Sequence, residues 1–254
     1  KEKWQKMDAK VAHYHWDDRK KLSQDYLYLQ NIYEALLVEL SGQLNVLHNV
    51  NHSLRYWRIL VGPWLGYFIQ MLFDRWTMLQ HTVADYEITG VRIISHNGRG
   101  LIPNDMDDFQ RLFSSEEWNE SIFGELLLFM DTPCEWVDGR VNTNVLSPQK
   151  TYKTNYRQKL RSVLDGIFGA LSTKRNFFFL SSYLPLKQNM LLQLRLGQIP
   201  KLWGPVSVPI VAPDCEARQQ HGDPPSVIND FTSIARIMLQ RHIPTSYSEG
   251  YQNL

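Results

Sequence analysis

The stretch "KLSQDYLYLQNIYEALLVELSGQLNVLH", residues 21–48, decides the fold more than any other part of the chain. Its apolar residues recur every three or four positions, which is the spacing of one face of an α-helix. The residues with this spacing are Leu22, Tyr26, Leu29, Tyr33, Leu36, Leu40, Leu44 and Leu47. We therefore predict an amphipathic helix of about 30 residues, with Asp17 or Asp18 as its N-cap.

The stretch "AHYHWDD", residues 12–18, places two histidines and two aspartates directly before this helix. The β-branched and aromatic content of residues 10–16 predicts a short strand. On a strand His13 and His15 would point to the same face, as two metal ligands should, and Asp17 could add a carboxylate. In the simpler interpretation, Asp17 and Asp18 cap the helix and one histidine packs at the strand end. Downstream, His48, His52, His81 and His96 show no metal-ligand spacing, so we expect no metal.

The segment "VNHSLRYWRILVGPWLGYFIQMLFDRW", residues 50–76, predicts a second helical region over 53–85 that is interrupted or kinked at Gly62-Pro63. A stripe of polar and small residues follows steps of three and four: Arg55, Arg58, Gly62, Gly66, Gln70 and Asp74. Small residues allow close approach by another backbone or by a ligand. The two arginines beside His52 could bind a carboxylate or phosphate. An internal ion pair with Asp74, inside a helix-packing seam, is an equally good interpretation.

Residues 59–73, "ILVGPWLGYFIQMLF", form an uncharged run of 15 residues. A membrane-spanning helix needs about 20 apolar residues, and this run is interrupted by Pro63 and flanked by charged residues. We therefore predict a buried core helix, with a peripheral membrane contact as the alternative.

The rest of the chain alternates strands and helices, which predicts a helix-rich α/β fold. We predict strands at 90–95 and 176–182, helices from Asp105 to about 114 and at 116–130, 155–172, 185–197 and 225–241, and a loop at 131–154. Six of the twelve prolines fall between 200 and 225, an extended region in which "SVPIVA" is a further candidate strand. We expect a single lobe, with a helical part at 17–86 and an α/β part at 87–254.

Composition narrows the class of protein. The 254 residues are 43% hydrophobic, enough for a sizeable core, and the net charge of +1 argues against a general nucleic-acid-binding protein. Two cysteines are too few for a disulfide framework, which fits a reducing compartment.

No Gly-rich phosphate loop, nucleophile elbow or Ser/His/Asp order is present. A basic cluster could bind phosphate or anionic lipid, or simply be a solvated face: Arg140, Lys150, Lys153, Arg157, Lys159 and Arg161.

Four segments resemble a family of transferases encoded in O-antigen and surface-polysaccharide loci, of the leptospiral type. They are "YHWDDRKKL" (14–22), the segment at 50–76, "LPLKQNMLLQLRLGQIPKLW" (184–203) and "IPTSYSEGYQNL" (243–254), and together they span nearly the whole chain. The matching motif positions are Tyr14, His15, Trp16, Asp17, Asp18 and Arg19, then Asn51, His52, Ser53, Arg55, Tyr56, Trp57, Arg58, Asp74 and Arg75. His13 lies outside the motif, which weighs against a metal site built on both histidines.

The resemblance implies the N-terminal, acceptor-side lobe of a two-lobed, GT-B-like sugar transferase, with a long helical insertion and a C-terminal lobe elsewhere in a longer protein. We expect His15 and Asp17 as catalytic candidates, and His52, Arg55, Trp57, Arg58 and Asp74 as substrate-binding candidates. Such an enzyme needs no metal, because helix dipoles and basic side chains can stabilise the leaving phosphate.

The resemblance also sets expectations for ligands, partners and location. We expect no cofactor in this chain, a nucleotide-sugar donor in the C-terminal lobe, a saccharide or lipid-linked acceptor, and no nucleic acid. The cytoplasm, at the inner membrane face, is the expected location. Two alternatives stay open: a non-catalytic scaffold or docking module, and a metal-dependent hydrolase using His13, His15 and Asp17.

Overall fold

The computed structural model describes residues 10–95, 101–130, 132–138, 177, 184–198, 200, 210–219, 228 and 230–253. The chain divides into two compact units, residues 1–147 with 208–254, and residues 148–207. Several predicted features lie outside the described residues: the helix at 155–172, the strand at 176–182 apart from residue 177, and the basic cluster at 140–161.

The first long helix, α1, spans Arg19–His48 and is 30 residues long, which confirms the prediction. The Asp18 carboxylate caps it by accepting hydrogen bonds from the backbone N–H groups of Lys20 and Lys21. The helix ends at Asn49, which takes the left-handed conformation (φ 52°) suited to a C-terminal cap. One face is buried in the core through Leu29, Ile32, Leu36, Leu37, Leu40 and Leu44.

The predicted interruption in the second helical region is confirmed, because α2 (Leu54–Leu60) and α3 (Gly62–Asp85) meet at Val61. The Ser53 hydroxyl caps α2 by accepting from the Tyr56 N–H. Pro63 lies in the first turn of α3, where its missing N–H leaves no hydrogen bond unmade. The apolar run contributes Val61, Trp64, Leu65, Phe68, Ile69, Leu72 and Phe73 to the core, so the prediction of a buried helix is confirmed.

A two-stranded parallel sheet follows the helical region. Strand β1 (Val91–Ser95) pairs with β2 (Cys134–Asp138) in a register that places Val91 opposite Cys134 and Ile93 opposite Trp136. Parallel strands need a crossover connection, and helices α4 (Met106–Leu112) and α5 (Glu116–Leu127) provide it. Asp105 caps α4 as predicted, and Ser115 caps α5.

Three further α-helices are described, and two short 3₁₀ helices, Thr245–Tyr247 and Tyr251–Asn253, follow the last of them. In the unit at 148–207, α6 (Leu186–Arg195) starts after Pro185 and is followed by Gly197 (φ 70°), as predicted. In the first unit, α7 (Cys215–Gln219) is short and α8 (Phe231–His242) is capped by the Asp230 carboxylate. The inward face of α8, which includes Phe231, Ile234 and Met238, joins the same core as α1, α3 and α5.

Three sequence-based predictions are wrong in detail. Residues 10–14 have no regular structure and His15–Asp17 form a 3₁₀ turn, so the strand at 10–16 is absent. Trp16 serves inward packing rather than strand pairing, since it stacks on Phe73. The loop at 131–154 contains β2, and α8 begins at Phe231 rather than at 225.

The fold class is therefore a helix-rich α/β arrangement, with most described residues in helices and a small parallel sheet. In the part of the chain that the structure describes, no helix combines the length and apolar character needed to cross a membrane.

Candidate functional site

The first group of candidate residues surrounds His15, in the 3₁₀ turn that leads into α1. The His15 ring is buried, and its Nε2 lies 3.1 Å from Oδ1 of Asp74 on α3. Its Nδ1 lies 3.9 Å from Oδ2 of Asp25 on α1 and has no hydrogen-bond partner among the described residues. Burial lowers the pKa of His15, and the hydrogen bond with Asp74 only partly opposes this. The ring is therefore neutral at pH 7, with Nε2–H donating to Asp74 and Nδ1 carrying a free lone pair.

Both carboxylates beside His15 are held by cationic side chains. Arg75 donates from Nη1 to Oδ2 of Asp74 at 3.0 Å, and from Nη2 to Oδ1 of Asn119 at 2.7 Å. Lys21 Nζ donates to the two oxygens of Asp25 at 3.1 and 2.8 Å. A carboxylate fixed against one imidazole nitrogen orients the ring and sets its tautomer, as it does in hydrolase triads.

The two other candidate metal ligands near His15 lie at the surface. Asp17 and His13 are exposed, whereas His15 is buried. Because His15 lies in a turn and not on a strand, the two histidines do not share a face as the metal hypothesis required. The described residues contain no group of three or more His, Cys, Asp or Glu side chains placed to hold a metal ion.

A groove of about 520 Å³ lies between α1 and α3. This volume falls within the roughly 300–1,000 Å³ typical of small-molecule sites. Its walls include Trp16, Tyr26, Gln30, Tyr33, Tyr67 and Gln70. Gln30 and Gln70 are exposed, and neither side chain makes a hydrogen bond to another described residue. The groove thus combines flat aromatic surfaces with free amide groups.

The groove leads towards the His15 group. Trp16 lines it, and the Trp16 ring lies 4.6 Å from the His15 ring between centroids. Trp16 Nε1 also donates to Oδ2 of Asp25 at 3.0 Å. On α3, Asp74 follows Gln70 by four residues, so it lies one turn further along the same face. The His15–Asp74 pair therefore lies next to Trp16 and one helical turn beyond Gln70, although neither residue lines the groove itself.

The glycines of the predicted stripe accommodate a side chain of α1. A Cβ at Gly62 would lie 2.6 Å from Oη of Tyr33, and one at Gly66 would lie 3.7 Å from the Tyr33 ring. The small residues allow the tyrosine to lie against α3, so the close approach predicted from the sequence is made by Tyr33. The space that remains beside this ring forms part of the groove.

Arg58 pairs with Glu34, not with Asp74 as the sequence interpretation suggested. Its Nη1 and Nη2 each donate to one oxygen of Glu34 at 2.6 Å, which is a bidentate arrangement. Hydrogen bonding to Arg58 lowers the pKa of Glu34. Glu34 lines the groove, so this ion pair borders it near Gly62.

The remaining candidates form a second group at the far end of α1. Trp57 is fully buried, and its Nε1 donates to Oδ1 of Asn45 at 2.9 Å. The same oxygen accepts from the backbone N–H of His52 at 3.0 Å. The half-buried His52 ring stacks on Tyr56 with centroids 4.1 Å apart, and Arg55 is exposed beside it.

The two groups are far apart. His15 contacts Asp25 near the start of α1, whereas His52 is bound to Asn45 near its end. A helix rises 1.5 Å per residue, so these 20 residues correspond to about 30 Å. The structure thus brings His15 together with Asp74, and His52 together with Trp57, but it does not bring the two pairs into one cleft.

Several residues of these groups were not singled out from the sequence. Asp25, Glu34 and Asn45 lie on α1 among residues that read as an ordinary amphipathic helix. For Asp25 a signal existed, because a carboxylate four residues after Lys21 forms an i,i+4 pair on a helix. Glu34 and Asn45 act through partners on the next helix, which the helical pattern of α1 does not identify.

The family model described as LIC12162 family transferase matches residues 1–254. No curated protein and no solved structure matches the chain.

Proposed function

Because the chain belongs to the LIC12162 family of transferases, we propose that it is the acceptor-side lobe of a sugar transferase of surface-polysaccharide or O-antigen synthesis. The two-lobed, GT-B-like plan is part of this proposal, with the nucleotide-sugar donor in a C-terminal lobe. The acceptor is a saccharide, free or lipid-linked, and the reaction takes place in the cytoplasm at the inner membrane face through a peripheral contact.

One observation carries the proposal: Trp16, which lines the groove between α1 and α3, packs on the buried His15 that is bound to Asp74. Exposed tyrosine rings offer surfaces for the C–H face of a sugar, and free glutamine amides donate to and accept from hydroxyl groups. A base that takes a proton from an acceptor hydroxyl must lie within hydrogen-bond reach of it. The groove would place a hydroxyl beside Trp16, next to that pair.

We assign the proton-accepting role to Nδ1 of His15, with Asp74 as the group that orients the ring. This nitrogen has no hydrogen-bond partner among the described residues, and the buried His15 ring packs on Trp16 with centroids 4.6 Å apart, so we expect acceptor binding to displace the indole. The exposed Asp17 in the same turn is the alternative base. Arg58, paired with the groove residue Glu34, and Asp74, one turn beyond Gln70, lie next to the two ends of the groove. The half-buried His52 and the exposed Arg55 would contact the C-terminal lobe or a remote part of the acceptor, and the buried Trp57 would hold them in position.

The test is sugar transfer by the full-length protein that contains this chain, with variants Tyr67→Ala, Gln70→Leu and His15→Gln. We expect the two groove variants to raise the acceptor KM at least about tenfold, which corresponds to about 1.4 kcal/mol of lost binding. We expect His15→Gln to lower kcat about 100-fold or more while leaving KM unchanged, since Gln cannot accept the proton. Tyr86→Ala, an exposed tyrosine outside the groove, is the matched control. Wild-type transfer by all three variants would exclude this groove as the acceptor site.

A non-catalytic module remains the second candidate, favoured by the fully buried Trp57 and the packing of Tyr33 over Gly62. If the chain is such a module, the groove variants should change the stability of the protein and leave the rate of sugar transfer unchanged.

A further inference from the structure

The charge of the groove between α1 and α3 limits which sugars it can hold. Among the described residues that line it, Glu34 is the only charged side chain. The neighbouring cation, Arg58, has both terminal nitrogens engaged by the Glu34 carboxylate at 2.6 Å. An arginine engaged in this bidentate way has its planar donor edge occupied.

An anionic ligand would therefore meet an unfavourable surface. A uronic acid or a phosphate in the groove would approach Glu34, and it could gain a countercharge only by pulling Arg58 away from that residue. An uncharged sugar needs no such exchange. Its hydroxyls can donate to the outward lone pairs of Glu34 and can bind the free amides of Gln30 and Gln70.

The aromatic walls agree with an uncharged ring. Tyr26 is 59% exposed and Tyr67 is 55% exposed, so both present bare ring surface to the groove. The C–H face of a neutral pyranose packs on such a surface and releases water from both partners.

We propose that the groove takes an uncharged sugar, and that Glu34 sets this selectivity by neutralising Arg58. The inference rests on the proposed function, because it names the class of acceptor for the same groove. It makes Glu34 the residue that excludes acidic sugars, a role different from proton transfer at His15.

The experiment is saturation-transfer NMR of the protein with four pairs of methyl glycosides, each a neutral sugar and its uronate. The pairs are glucose, galactose, mannose and N-acetylglucosamine with the corresponding uronic acids. We expect at least one neutral sugar to bind and its uronate to bind at least tenfold more weakly. Tyr67→Ala must remove the signal, which locates binding in the groove.

Glu34→Gln tests the cause of the selectivity. This variant frees the Arg58 charge, so we expect the preference for neutral over uronate to fall at least tenfold. The matched control is Glu39→Gln, which breaks a similarly exposed bidentate pair with Arg236 on α8 (2.8 Å for both contacts) and should leave the preference unchanged. If Glu34→Gln fails to fold, Arg58→Gln replaces it and should weaken uronate binding further while neutral binding persists.

Equal or tighter binding of uronates by the wild-type protein overturns the inference, as does an unchanged preference in Glu34→Gln. Absence of binding by every sugar of the panel also overturns it. The transfer assay separates these results from failure of the proposed function. Transfer that still depends on Tyr67 keeps the groove as the acceptor site even when the acceptor proves acidic.

Discussion

The imidazole of His15 lies between the carboxylates of Asp74 and Asp25, yet burial holds its pKa below the ordinary value of 6.5. Two negative neighbours favour the protonated ring, whereas loss of water disfavours it, and the loss of water dominates. The positive charge of Lys21, which binds Asp25, lowers the pKa of His15 further. A neutral ring with a free Nδ1 is the state that a proton acceptor needs.

This balance predicts how stability depends on pH. Because the folded pKa of His15 lies below its unfolded value, the unfolded chain binds the proton first as pH falls. The stabilising contribution of neutral His15 is therefore complete above about pH 6.5 and decreases as pH falls below it. We expect the wild-type free energy of unfolding to drop more steeply than that of His15→Gln between pH 7 and 5, as measured by urea denaturation.

His13→Gln is the control for this prediction, since His13 is exposed and two residues away. It should follow the wild-type pH profile. Parallel profiles for wild type and His15→Gln would show that His15 titrates as it does in the unfolded chain, and the assignment of a neutral buried ring would then be wrong.

At the residue scale, the sequence singles out His15 and Asp74 as candidates, but it does not predict the hydrogen bond between them. Both belong to motifs that the family resemblance singled out, 59 positions apart. Their hydrogen bond depends on the turn that points His15 inward, and local composition instead predicts a strand there. The Arg58–Glu34 pair joins residues 24 positions apart on two different helices, so the apolar periodicity within either helix cannot predict it.

At the scale of elements, α5 packs closely against β1 because position 124 is glycine. A Cβ at Gly124 would lie 2.6 Å from Cγ2 of Ile93, a distance that real Cβ atoms essentially never show. Ile93 is buried in the strand, so it has little room to yield. The glycine is thus required by the distance between helix and sheet, and not by backbone conformation.

We predict that Gly124→Ala lowers the free energy of unfolding by about 1–3 kcal/mol through overpacking. Gly42→Ala is the matched control in α1, where a Cβ meets nothing within 4 Å. Because alanine loses less backbone entropy in a helix, Gly42→Ala should raise stability by about 0.5–1 kcal/mol. Urea denaturation measures both, and a stabilising effect of Gly124→Ala would refute the close helix–sheet contact.

The sequence predicts best those helices that have a regular apolar repeat and clear capping residues. Helix α1 has an apolar repeat and a capping aspartate, and the junction of α2 and α3 is marked by Pro63. Strand β2 was missed because "CEWVD" is short and carries two acidic residues, and it is defined by pairing with β1, 43 positions earlier. The residues of β2 by themselves do not show which distant strand it pairs with.

At the scale of the whole molecule, α8 closes the core of the first unit and is held by charged contacts at two places. On the inward side, Oε1 of Glu125 on α5 lies 2.9 Å from Nε2 of the buried His242. Burial would raise the pKa of Glu125, but its electrostatic interactions and hydrogen bonds with His242 and Arg241 outweigh this effect, so the pKa is lowered. On the outer side, Arg236 pairs with the exposed Glu39 of α1.

We predict that Glu125→Gln destabilises the protein by about 2 kcal/mol at pH 7, because a buried, charge-assisted interaction of the carboxylate with His242 and Arg241 is lost. Glu39→Gln removes the exposed pair between α1 and Arg236 of α8 and should cost about 0.5 kcal/mol or less. Since the Glu125 pKa is depressed, its contribution is present above the unfolded value near 4.5 and is lost as pH falls through the folded one. Thermal unfolding of both variants at pH 7 and pH 4 is the measurement, and equal effects at pH 7 would contradict the prediction.

The position of α8 along the chain also constrains how the protein is made. Its contact with α1 joins residues 197 positions apart, and about 100 residues separate α5 from α8. A ribosome adds roughly 5–20 residues per second, so α1 to α5 wait about 5–20 s with part of their apolar surface uncovered. During that interval the nascent chain is a natural client for a chaperone, and a pause in translation before residue 231 would extend its exposure to aggregation.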